Sequence, residues 1–134
     1  MERFRPYAVS GLCALTLFIW GNRIWLAWTN DEDSLGRKLV WSLPITVFVI
    51  LATLLMVGFV LRRLPEDPRF VPAVRLLAGG TVIYWAVRAP MILLADHPGG
   101  FKAVHAVLAV ASVISSACAW MAVSDRRELE SSLA

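Results

Sequence analysis

Two arginines, Arg23 and Arg88, stand inside long apolar runs, and no aspartate or glutamate lies in any of those runs. A guanidinium group in the hydrocarbon of a bilayer is costly and must reach partners or water. Its planar fork of donors suits an anionic or acceptor group: a lipid phosphate, a carboxylate, or a quinone oxygen. With each residue placed by depth in its run, Asn22, Tyr84, Trp85 and His105 join the arginines in one layer. Trp20 lies three residues from Arg23, near enough on a helix to stack on it. Gly80, Tyr84 and Arg88 recur every four residues and share a helix face. The expected site is a pocket of Arg23, Arg88, His105, Asn22, Tyr84, Trp20 and Trp85, open to the outer leaflet and holding an anionic lipid or small anion.

The plainer alternative has both arginines snorkelling to the interface, stems in lipid and heads among headgroups. Each has an acid eight residues later, Asp31 and Asp96, which could pair with it above the membrane. Eight helical residues span about 12 Å, a long reach even for arginine. Trp25, Trp28 and Trp41 then form an interfacial aromatic belt.

Those residues need long helices to position them. The chain of 134 residues is 58% apolar and 17% charged, more apolar and less charged than soluble domains. A water-soluble domain of this size could not bury so much apolar surface. The apolar residues fall in four runs, 7–29, 39–61, 71–95 and 101–123, each long enough to cross about 30 Å of hydrocarbon as a helix. Alternating strand patterns are absent, so a barrel is not supported. The expectation is an all-α membrane protein, one domain forming a four-transmembrane-helix bundle with a polar C-terminal tail, 124–134. Short linkers make successive helices antiparallel neighbours.

Lys and Arg cluster at the N-terminus, in the second loop and in the tail, whereas Asp31, Glu32, Asp33 and Asp96 lie in the first and third loops. Basic residues favour the cytoplasmic side, which gives an N-in/C-in topology in a bacterial plasma membrane. The net charge of +3 comes from these flanking residues and forms no stripe, so nucleic acid is not an expected partner. Pro72 suits the first turn of the third helix, and Pro44 falls near the start of the second. Pro90, inside the third run, frees the carbonyl of Ala86. On the fourth run His105, Ala109, Ser112, Ser116 and Ala119 form a stripe of small and polar residues that lets a helix approach closely. Gly58, Gly79 and Gly80 offer similar approach points.

Catalytic signals are weak. Cys13 and Cys118 both sit in apolar runs without a C-x-x-C spacing, so packing is their expected role. His105 lacks a second intramembrane histidine for haem, since His97 falls in a loop. The acidic turn at residues 31–33 could bind a divalent ion, but solvation is its plainer reading. No metal and no cofactor is expected. Small multidrug exporters rely on a membrane-embedded glutamate and quinone-linked thiol oxidases on cysteine pairs, both missing here; the glycine and asparagine pattern of fluoride channels is missing too. The leading expectation is a non-catalytic membrane protein or accessory subunit with an anion-binding outer pocket. The alternatives are a small oligomeric transporter or pore selective for anions, and a quinone-reactive subunit built around Arg23, Arg88 and His105.

Overall fold

The computed structural model describes residues 5–29, 31, 34–61 and 68–133. Four helices follow one another: α1 (Arg5–Thr29), α2 (Leu35–Val60), α3 (Phe70–Leu94) and α4 (Gly99–Leu133). They pack in a ring, α1 against α2 and α4, and α3 against α4 and, less extensively, α2. Chain order makes each packed pair antiparallel, the arrangement short linkers favour. All four helices are long and apolar enough to cross a membrane, which points to an integral membrane protein.

Helix boundaries depart from the apolar runs where local chemistry extends them. Ser34 caps α2, its hydroxyl accepting the Arg37 N–H at 3.4 Å, so the helix begins at Leu35 instead of Leu39. Arg37 and Lys38 consequently ride in the first turns of α2. Pro44, expected near the start, sits inside the helix, where its missing N–H leaves the Val40 carbonyl without its usual donor. Pro90 is likewise inside α3. The Ala95 N–H closes α3 on the Met91 carbonyl at 3.1 Å, and Lys102 N–H begins α4 on the Pro98 carbonyl at 3.2 Å. The C-terminal tail, expected to leave the helix at Val123, continues α4 to Leu133. Residues 124–133 contain neither glycine nor proline and include Arg, Glu and Leu, all good helix formers.

The bundle inverts the surface of a soluble protein, with large aliphatic residues outside and small and polar ones buried beside its apolar core. Thr16, Ser42, Thr81, Ser112 and Ser116 are buried, while Trp25, Val60, Val87 and Leu94 are exposed. This inversion suits lipid, which solvates apolar surface and leaves close packing to hold helices together. The α4 stripe follows the rule: Ala109, Ser112, Ser116 and Ala119 are all buried, in a helix packed on both α1 and α3.

The apolar core is not centred. Val9, Leu12 and Cys13 meet Ala52, Leu55, Val74, Leu77, Ala119 and Val123. These belong to the first half of α1 and α3 and the second half of α2 and α4, the end where the chain termini lie. Two cavities lie at the opposite end, which bears the α1–α2 and α3–α4 connections.

Candidate anion-binding site at the loop end

Arg23 lies six residues before the end of α1, Arg88 six before the end of α3, and His105 six after the start of α4. At 1.5 Å per residue all three sit about 9 Å inside the helix ends. One turn deeper, an aromatic layer joins α1, α2 and α3. The ring of Trp20 meets Tyr84 edge-on at 4.6 Å between centroids, stacks with Trp85 at 6.3 Å, and lies 6.3 Å from Phe48. Tyr84 and Trp85 are themselves perpendicular at 5.8 Å. Edge-to-face and offset contacts of this kind are favourable beyond their buried area. Trp20 and Trp85, each only 4% exposed, close the core from the space above.

Two adjoining cavities open above this layer. The smaller, about 450 Å³, lies between α1, α3 and α4. All seven sequence-proposed residues, Trp20, Asn22, Arg23, Tyr84, Trp85, Arg88 and His105, line it, with Phe18, Leu26, Ile92, Phe101 and Leu108 supplying apolar wall. The larger, about 790 Å³, lies between α1, α2 and α3 and is lined by Arg23, Arg37, Lys38 and Arg88, together with Ser42, Ile45 and Tyr84. Arg23, Leu26, Tyr84 and Arg88 belong to both. Four cationic residues therefore line one space, two of them, Arg37 and Arg88, with contacts of their own.

The individual groups differ in how far they are already committed. Arg23 is exposed and makes no hydrogen bond or ion pair among the described residues. The expected stack of Arg23 on Trp20 is not formed; Trp20 is taken up by the aromatic layer, and a cation–π contact elsewhere in the bundle sets Arg75 over Trp120 at 5.3 Å. Lys38 Nζ donates to the Trp28 carbonyl at 3.4 Å. Asn22 turns back on its own helix, Nδ2 donating to the Phe18 carbonyl at 2.8 Å. His105 Nδ1 lies 2.8 Å from the Phe101 carbonyl. A carbonyl only accepts, so Nδ1 carries the proton and Nε2 is the nitrogen left for a ligand. The pairs above the membrane, Arg23 with Asp31 and Arg88 with Asp96, are not formed, and both acids are exposed. Glu32, Asp33 and the Trp41 side chain lie outside the described residues.

Compared with known proteins, the chain matches no family model, and neither a curated protein nor a solved structure is significantly similar to it. The site must be read from its own chemistry.

Two buried polar atoms belong to cavity-lining residues. All five threonines donate their hydroxyl to the carbonyl four residues back: Thr16, Thr29, Thr46, Thr53 and Thr81. Ser42, 7% exposed and lining the larger cavity, does not; its Oγ has no hydrogen-bond partner. Nε1 of Trp85, a residue of the smaller cavity's wall, also has none. Both atoms have less than 1 Å² of accessible surface, so neither reaches the cavity beside it, and Ser116 Oγ and Arg75 Nε are likewise unpartnered.

The α2 contribution of Arg37, Lys38 and Ser42 was absent from the sequence-proposed set. Assigning Arg37 and Lys38 to a loop put them above the membrane. The signal that corrects this is Ser34 directly before the apolar periodicity, a helix-start pattern that draws both cations into the bundle. No group of three or more His, Cys, Asp or Glu comes together among the described residues.

Proposed function

We propose that this protein sits in the plasma membrane of a bacterium with both termini in the cytoplasm, and binds an anionic lipid headgroup or small anion at its outward-facing loop end, as a non-catalytic binding protein or accessory subunit. One observation carries this reading: Arg23, which makes no hydrogen bond or ion pair among the described residues, lines a cavity of about 790 Å³ together with Lys38, Arg37 and Arg88, the last two of which hold contacts of their own. Two unit charges 8 Å apart repel by about 2 kcal/mol at an effective dielectric constant near 20. An anion at that distance from Arg23 is attracted by as much. The cavity begins at the first turns of α2 and reaches Ile45 and Tyr84, about 15 Å inside the helix ends.

The topology rests on charge asymmetry. By chain order, Arg3, Arg5, Arg62, Arg63, Arg69, Arg75, Arg126 and Arg127 belong to the terminus end, against Arg23, Arg37, Lys38, Arg88 and Lys102 at the loop end. The richer side faces the cytoplasm. Reporter fusions at Ser34 and Ala134 should report opposite sides.

The competing source of negative charge is the chain's own turn at Glu32 and Asp33. Native mass spectrometry of the protein released from mixed lipid separates the two. Wild type should retain phosphatidylglycerol over zwitterionic lipid, Arg23→Gln should lose that preference, and Asp33→Asn should keep it. Retention without headgroup preference, or a preference indifferent to Arg23, would remove the proposal.

A further inference from the structure

Resting on that anion-binding reading, we infer that the ligand is a phosphate-bearing amphiphile occupying both cavities, its phosphate in the larger and its apolar part in the smaller. The two spaces meet along Arg23, Leu26, Tyr84 and Arg88, so a molecule held by the arginines reaches either side. Their walls differ in kind. The larger is lined by the cationic residues Arg23, Arg37, Lys38 and Arg88, of which Arg23 has no partner among the described residues. A phosphate monoester carries nearly two negative charges and three strong acceptor oxygens, which matches the Arg23 fork beside the Lys38 ammonium better than a carboxylate does.

The smaller cavity is walled chiefly by Phe18, Ile19, Leu26, Ile92, Phe101 and Leu108 over the Trp20–Trp85 floor. A free inorganic anion would leave this space without a polar partner set beyond its arginine edge. An alkyl or prenyl chain fills it. His105 lines this cavity with Nε2 as acceptor, which suits a hydroxyl on the bound molecule. The chemistry is shared by a membrane phospholipid of the phosphatidate type and by a soluble alkyl phosphate.

The test uses the full chain in nanodiscs of zwitterionic lipid, titrated by calorimetry with inorganic phosphate, hexyl phosphate and hexanol. Hexyl phosphate should bind at least tenfold more tightly than inorganic phosphate, and hexanol should not bind detectably. Arg23→Gln should weaken both phosphates about tenfold; Arg23 makes no described contact, so this variant keeps the fold. Leu108→Trp, or the milder Leu108→Phe, should weaken hexyl phosphate about tenfold and leave inorganic phosphate unchanged. Equal binding of the two phosphates, indifferent to Leu108, overturns the two-cavity inference while the anion reading stands. Absence of phosphate binding, or binding indifferent to Arg23, overturns both. In discs containing phosphatidic acid, a weaker apparent affinity for hexyl phosphate assigns the site to lipid and an unchanged one assigns it to a soluble ester; either upholds the amphiphile.

Discussion

The two ends of the bundle treat arginine in opposite ways. At the terminus end Arg75 is half-buried between α3 and α4, donating to the Ser124 hydroxyl at 3.2 Å and lying over the Trp120 ring. Beside it are the fully packed Leu77, Val74 and Ala78. At the loop end Arg23 has no described partner and borders two cavities. Both residues belong to apolar helices, and both are reachable from an interface. The difference teaches that an intramembrane arginine is structural where side chains close around it and available where the helices stand apart.

That contrast is sharpest in stability. Leu77→Ala, at a position with no exposure, should cost at least about 2 kcal/mol through the cavity it leaves, whereas Leu26→Ala, 60% exposed at the cavity rim, should cost under about 0.5 kcal/mol. Equal losses in denaturation by detergent titration would erase the distinction between a closed and an open half.

Next in size is Arg75. Arg75→Ala should destabilise by about 1–2 kcal/mol, from a charged hydrogen bond and a cation–π contact at a partly exposed site, and Ser124→Ala by about half as much. Arg23→Gln should leave the melting temperature where it is.

Two neighbouring glycines sharpen the boundary between the halves. A Cβ on Gly80 would stand 3.0 Å from two carbons of the Phe48 ring, while one on Gly79 would meet only Trp120 at 3.6 Å. Gly80→Ala should therefore be destabilising by about 1 kcal/mol after the helix-propensity gain, and Gly79→Ala neutral or slightly stabilising. The smallest effect belongs to the acids: Asp31→Asn and Asp96→Asn, exposed and without ion pairs, should not shift the melting temperature.

Much of the architecture was legible in the sequence because bilayer thickness sets a length that composition alone reveals. Four runs of the right length gave four helices, and shared depth brought Arg23, Arg88 and His105 to one level. Finer features depended on interactions that hydropathy does not register. The start of α2 was set by a single serine hydroxyl, and through it Arg37 and Lys38 entered the cavity. The Trp20 ring had two possible neighbours, a cation three residues on or aromatics from α2 and α3; only tertiary packing decided for the latter. Arg75 is engaged by Ser124 and Trp120 on a helix whose sequence separation hid the contact.

The most direct measurement is a thermal-denaturation series of wild type and the Arg23→Gln/Arg88→Gln double variant against rising phosphatidylglycerol in a zwitterionic background. A ligand bound only by the folded protein stabilises by about 2.7 kcal/mol at a hundred times its dissociation constant. The wild-type melting temperature should climb and saturate, while the double variant stays flat from the same lipid range. A flat wild type, or parallel curves for the two proteins, would contradict an anion site at the loop end.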